Sequence, residues 1–228
     1  MTPEQKHIAC LRQNWHKALT EWAFSCLAAR EVPDASVQAM RAIGQALPLI
    51  ETLGALKHFG DGLFLRCGGF SWKDTDAFHV LGNGRLKDWD DVRFLLSAGL
   101  PRRMHWAFAA HQDQGVPVTL EVNAWQDIPA PSEFRIFIRD VKVAGISQYH
   151  QHVSGGCSGP ERENLHQRLL TFAAAVLPNL PPFPLVLDVA DDGSQTVLIE
   201  LNPWTSQTDL GLFQWRDFQR PSGELRLV

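Results

Sequence analysis

The chain has 228 residues, 45% of them hydrophobic and 20% charged, so it has the apolar content for a compact core and lacks the composition of a disordered chain. A formal net charge of -4 and a pI near 6.1 exclude the overall basic field that non-specific nucleic-acid binding uses, leaving only a local basic groove open. The N-terminus shows no apolar signal core and no run approaches the roughly 18 apolar residues of a membrane span. The expectation is therefore a cytoplasmic protein with no nucleic-acid and no membrane partner. Cys10, Cys26, Cys67 and Cys157 are scattered without a C-x-x-C pair, so reduced thiols are expected.

Thr2-Pro3-Glu4-Gln5 reads as a helix start, with Thr2 as N-cap and Gln5 placed to complete a capping box. Ile8, Leu11, Trp15, Leu19 and Trp22 recur at helical spacing and predict one amphipathic helix over about residues 3–25. A second is predicted from about Ser36 to Leu47, stopped by Pro48. From Gly62, "GLFLRCGGFSWKD" reads as a strand ending near Arg66 and entering a Gly-rich loop. Asp88 to Ala98 predicts a further helix. "PVTLEVNAW" and "EFRIFIRD" are strand-like, and "VKVAGISQ" is expected to pair with the latter across the Arg139-Asp140 corner. Residues 160–177 predict a helix on Leu165, Leu169, Phe172 and Val176. The last strands are "PLVLDVA" and "TVLIELN", joined by the turn-forming "DDGS". Helices come first and mostly antiparallel strands later, which predicts an α+β fold. The expected division is 1–118, helical with a small strand and loop lobe, and 119–228 as the C-terminal lobe.

Side chains alternate along a strand, so Thr196, Leu198, Glu200 and Asn202 are expected on one face. Asp188, amid branched aliphatics in "VLDV", needs a partner if it is buried. Two readings stand. Three oxygen donors converging from adjacent strands make a site for a hard cation such as Mg²⁺; alternatively, Asp188 caps a strand end and Glu200 is solvated. A strict two-residue turn would set Asp188 opposite Val197 and away from Glu200, so convergence requires an odd connection or a bulge, and one is predicted. Arg66 ends an apolar strand, Lys73 follows across a Gly68-Gly69 loop that would let backbone approach a phosphate, and Arg135 lies opposite Phe134 and Ile136 on its strand. Arg135 either pairs with Glu133 or joins those cations around a polyphosphate and its metal. His150 and His152 either share a strand face as metal ligands or lie in a polar loop, the second being preferred.

Taken in order, "FLR…SWKD", "EFRIFIRDVKVAGISQ", "FPLVLDV" and "LIELNPWTSQTDLGLFQW" resemble the ATP-grasp superfamily, over about residues 60–215. Within it the chain is most similar to the eukaryotic cell-division-cycle assembly factors for translation initiation factor two and their short bacterial and phage relatives. The resemblance implies two lobes around a nucleotide cleft, ATP and Mg²⁺ as cofactors, metal binding by Asp188, Glu200 and Asn202, and phosphate contacts by Arg66, Lys73 and Arg135, with Arg135 also the catalytic candidate. It places "LEVNAW" at the hinge whose backbone reads the adenine edge, with Glu121 contributing. Arg66 and Glu200 stand where the eukaryotic relatives usually have Lys and Asp, and Arg does not replace Lys as a compact point charge. The leading functional expectation is an ATP- and Mg²⁺-binding protein with ligase activity through an acylphosphate, on an acceptor substrate the sequence does not name. The alternative is a non-ligase, nucleotide-dependent assembly factor that grips a partner protein.

Overall fold

The capping box forms: Thr2 N donates to Gln5 Oε1 at 3.0 Å, Gln5 N donates to Thr2 Oγ1 at 3.3 Å, and α1 spans Pro3–Cys10. The expected helix over 3–25 stops there. Leu11 is extended, Arg12–Asn14 makes a 3-10 turn, and a short α2 spans Lys17–Thr20. Two side chains take the carbonyls that a further turn would have used, Asn14 Nδ2 on Ile8 O at 2.7 Å and Trp15 Nε1 on Cys10 O at 2.8 Å. A computed structural model describes residues 1–54, 58–154, 157, 159–206, 208–219 and 222–228.

The chain divides into two compact units, Ser25–Gln126 and Met1–Phe24 with Asp127–Val228. In the first, β1 (Cys26–Glu31) is followed by α3 (Asp34–Ile43), which closes on the left-handed Gly44, and by α4 (Leu49–Leu53). The predicted helix thus ends before Leu47, and Pro48 opens the next one. Then come β2 (Leu63–Cys67), α5 (Asp76–Val80), α6 (Trp89–Ser97, capped by Asp88), α7 (Arg102–Gln114) and β3 (Thr119–Ala124). The strands form an antiparallel sheet in the order β1-β3-β2, and Leu65, Trp72, Leu95, Met104, Phe108 and Leu120 are core residues of this unit.

The second unit is a sheet in the order β7-β6-β4-β5-β8, built from β4 (Glu133–Arg139), β5 (Lys142–Gln148), β6 (Leu185–Asp191), β7 (Thr196–Pro203) and β8 (Leu225–Arg226). The β4 and β5 strands pair across the expected corner, where Asp140 and Val141 both take positive φ, as a tight hairpin twist demands. Helix α8 (Pro160–Val176) lays Leu165, Leu169, Phe172 and Val176 against Ile136, Leu187, Val189 and Leu198, as its periodicity predicts. On the opposite face, Phe137, Ala144 and Val186 pack with Trp204, Phe213 and Phe218.

This division corrects the expected boundary after residue 118. β3 is the central strand of the first unit's sheet, so it stays with β1 and β2. The first 24 residues join the second unit because Leu198 N donates to Trp22 O at 2.6 Å, and α1 also packs against β7. Among the described residues, no helix is long and apolar enough to cross a membrane. Leu169 is fully buried between α8 and the sheet. Leu169→Ala is expected to lower unfolding free energy by roughly 2–5 kcal/mol in urea denaturation, with an unchanged slope.

Candidate functional site

The site begins with a fault in the β6/β7 ladder. Asp191 pairs with Thr196 across an even connection, residues 192–195, whose Asp192 Oδ1 accepts from Ser194 N at 2.8 Å and Gln195 N at 2.9 Å. Uninterrupted, that register would turn Asp188 and Glu200 to opposite faces. Instead Val189 pairs with Leu198 and Asp188 with Glu200, so Ile199 is the extra residue of a β-bulge. The predicted bulge is present. It also corrects the expected faces: Leu198 joins the α8 core, while Glu200 and Asn202 turn to Asp188.

Asp188 is 1% exposed in mid-strand, so it does not cap a strand end. Arg135, its register partner on β4, grips it with a fork: Nε to Oδ1 at 2.8 Å and Nη2 to Oδ2 at 2.9 Å. Arg135 Nη1 donates to Asp209 O at 2.8 Å, and the Tyr149 ring centre lies 4.8 Å from the guanidinium carbon. The alternative pairing with Glu133 does not form; Glu133 instead meets His150 at 3.0 Å. That histidine lies in the loop after β5, as preferred. Asn202 Nδ2 donates to Asp188 Oδ2 at 2.9 Å and to Glu200 Oε1 at 3.0 Å.

Electrostatics at this point pull in opposite directions. Burial is the largest influence on Asp188 and pushes its carboxyl up; the Arg135 fork opposes this and neighbouring Glu200 adds to the rise. Burial works against the Arg135 charge, yet Asp188 more than offsets it and holds the guanidinium above its ordinary value. Two carboxylates side by side, one of them buried, are what a divalent cation would relieve. Among the described residues no three His, Cys, Asp or Glu side chains assemble as a metal site; the third side chain at this point is the amide of Asn202. The donors are all oxygen, which fits Mg²⁺ with water and phosphate oxygens supplying the remaining positions. Asn202 turns its amide nitrogen to both carboxylates here, and its oxygen is the atom a cation would take.

The other expected residues lie in the Ser25–Gln126 unit. Arg66 and Glu121 are direct cross-strand partners on β2 and β3. Arg66 reaches Gly69 O at 3.5 Å, and its guanidinium carbon lies 5.6 Å from the Phe64 ring centre. Lys73 is half-buried just after Trp72, which is fully buried. Gly68 and Gly69, at φ +57 and +84, make a closed turn in which Cys67 and Phe70 exchange backbone bonds and Gly68 N donates to Thr119 O at 3.0 Å. The stretch "LEVNAW" covers the end of β3, with residues 120–124 paired to β1, β2 or both, and the unit closes just after it at Gln126.

Sequence reasoning missed Ser147, Tyr149, Asp209 and Arg226. Asp209 acts through its backbone carbonyl, which no residue type announces, whereas Tyr149 is the chain's single tyrosine and directly follows the recognised "GISQ".

The D123 family's sequence model matches residues 75–227. A translation initiation factor eIF2 assembly protein from Kluyveromyces lactis is 30% identical over 176 residues, 67% of this chain and 47% of that protein. One of the same description from Xenopus laevis is 29% identical over 115 residues, 47% of this chain and 32% of that protein. The chain spans about half the length, or less, of these curated relatives. The solved structure of Cdc123 from Schizosaccharomyces pombe superposes with a TM-score of 0.74 at 19% identity, covering 100% of this chain and 98% of that one, a likeness of fold.

Two outcomes are expected. Arg135→Met alone strands a buried carboxylate and lowers stability by roughly 3–5 kcal/mol, whereas Arg135→Met with Asp188→Leu regains most of it in the same urea titration. His111, buried beneath the Gly68 turn, donates from Nδ1–H to Val116 O and Pro117 O, and burial lowers its pKa below the ordinary 6.5. Its folded form therefore binds a proton less readily than the unfolded chain, so its contribution is present above pH 6.5 and is lost as the pH falls below that value. Stability measured between pH 7 and 5 should decline less steeply in His111→Gln than in the natural chain.

Proposed function

The chain belongs to the D123 family, and from that premise we propose a nucleotide-dependent assembly factor that binds ATP and Mg²⁺ and acts on a partner protein. The observation that carries this reading is the bulge at Ile199, which brings Glu200 and Asn202 onto the same face as Asp188. A structural role alone would be met by Arg135 and Asp188; the second carboxylate at the same point adds negative charge, and the neutral Asn202 amide adds an oxygen that a cation could take. In this reading Asp188, Glu200 and Asn202 hold the metal, which when bound would neutralise phosphate oxygens. Arg66 and Lys73 contact the nucleotide's phosphates, and Glu121 orients Arg66 across β2 and β3. Arg135, whose fork is engaged with Asp188, orients the carboxylate.

The relatives' names favour assembly over ligation and point to translation initiation factor eIF2, or a factor like it, as the partner. An ATP-dependent ligase with Arg135 as its catalytic cation is the second reading, which the ATP-grasp resemblance supports.

Thermal denaturation with ATP and Mg²⁺ tests the site. At a hundredfold excess over Kd, a ligand that binds only the folded chain adds about 2.7 kcal/mol. The natural chain should be stabilised, and Glu200→Gln should lose most of the gain; an equal gain in both would reject the metal assignment. Retention of purified eIF2 only with ATP and Mg²⁺ supports assembly, and ADP release that requires an amine acceptor would favour the ligase.

A further inference from the structure

We propose that Ser147 is a positioning residue for this site, locking the loop after β7 so that the Asp209 carbonyl holds Arg135 on Asp188. The importance of that lock for cation binding rests on the function proposed above. Ser147 is completely buried on β5, directly across from Arg135 on β4. Its hydroxyl donates to Gln148 O at 2.8 Å and accepts from Leu212 N at 2.9 Å. Gly211 lies against it so closely that a Cβ there would stand 2.2 Å from Ser147 Oγ and 2.8 Å from Ser147 Cβ, and its φ of +60 also favours glycine. Two neighbouring strands thus seize the loop at adjacent points: Ser147 at Leu212, and Arg135 at Asp209 O.

The loop is braced so that these grips act together. Asp209 Oδ1 accepts from Gly211 N at 2.9 Å, which joins the two anchor points into one rigid turn. Beyond it, Arg226 Nη1 donates to Leu212 O at 3.1 Å and Asp217 Oδ2 at 2.7 Å, with the guanidinium carbon 4.1 Å from the Phe213 ring centre. Phe213 in turn covers Gly145, where a Cβ would fall 2.7 Å from the ring. If the loop slips, Arg135 loses the acceptor of its third nitrogen while still buried, and the guanidinium must shift to find another. A shift in Arg135 moves the carboxylate it grips. Metal sites depend on such supporting contacts for the placement of their ligands.

The simpler role for Ser147 is to satisfy its own strand backbone and add stability without touching the site. The two are separated by nitrogen-proton NMR of the arginine Nε–H groups, with Arg168 as internal control. Arg168 forks onto Asp191, away from this loop. In Ser147→Ala and Gly211→Ala, the Arg135 Nε–H signal should move and exchange roughly three- to tenfold faster, the range of one lost hydrogen bond, while the Arg168 signal stays in place. Mn²⁺ alone, followed by its effect on water-proton relaxation, should bind more weakly by a similar factor. An unchanged Arg135 signal, equal movement of Arg135 and Arg168, or unchanged Mn²⁺ binding beside a moved Arg135 signal would each overturn the proposal. A natural chain that binds no Mn²⁺ would instead overturn the cation assignment, and the Arg135 signal would still decide the lock.

Discussion

Placing Asp188 in the middle of β6, among Val186, Leu187 and Val189, creates a demand that much of the surrounding architecture meets. A buried carboxylate without partners is expensive, and pairing it with a single cation seldom stabilises more than well-packed apolar residues would. Here the demand is met from both neighbouring strands at once, by Arg135 of β4 and by Asn202 of β7. The second of these contacts exists only because Ile199 is bulged out of register. The bulge also delivers Glu200, which makes the charge balance worse rather than better.

The two faces of the same sheet divide the labour. Toward α8 the packing is apolar, from Leu185 to Leu201, and it supplies the rigidity against which a bulge can be held. The opposite face carries the charged cluster beside Phe137, Phe213 and Phe218, with Trp204 stacked on Trp215 at 18° between ring planes. Large aromatic rings near the Arg135 fork limit water there, which strengthens each hydrogen bond and raises the penalty for any that is missing. Trp204 is buried in that layer while Trp215 is half-exposed, so the stack links the interior to the surface of this unit.

The Ser25–Gln126 unit solves a different problem with the same means. Arg66 and Glu121 stand opposite each other across adjacent strands, a cation at the end of an apolar strand in register with a buried acid. The closed Gly68-Gly69 turn keeps the following segment in a fixed course toward Lys73. Glycine is needed in that turn for its positive φ values.

The α+β class, the capping box at Thr2, the helix over Pro160–Val176, the hairpin of β4 and β5 and the need for a bulge before Glu200 were all legible in the sequence, because each depends on local propensity or on the period of side chains along one element. Helix α7 was not legible, since its RRMHWAFAAHQDQ has no clean apolar stripe and is held by burial of Met104, Ala107 and Phe108 in the unit's core. β1 was hidden by the short helices before it, where side chains rather than spacing end the first helix. Which residue Arg135 would grip, that Thr196 and Leu198 leave the face of Glu200, and that Asp209 enters the site through its carbonyl were decided by tertiary structure alone. Register between strands distant in sequence, and the donors and acceptors of the backbone itself, are set by how the whole sheet packs and leave no mark in the order of residue types.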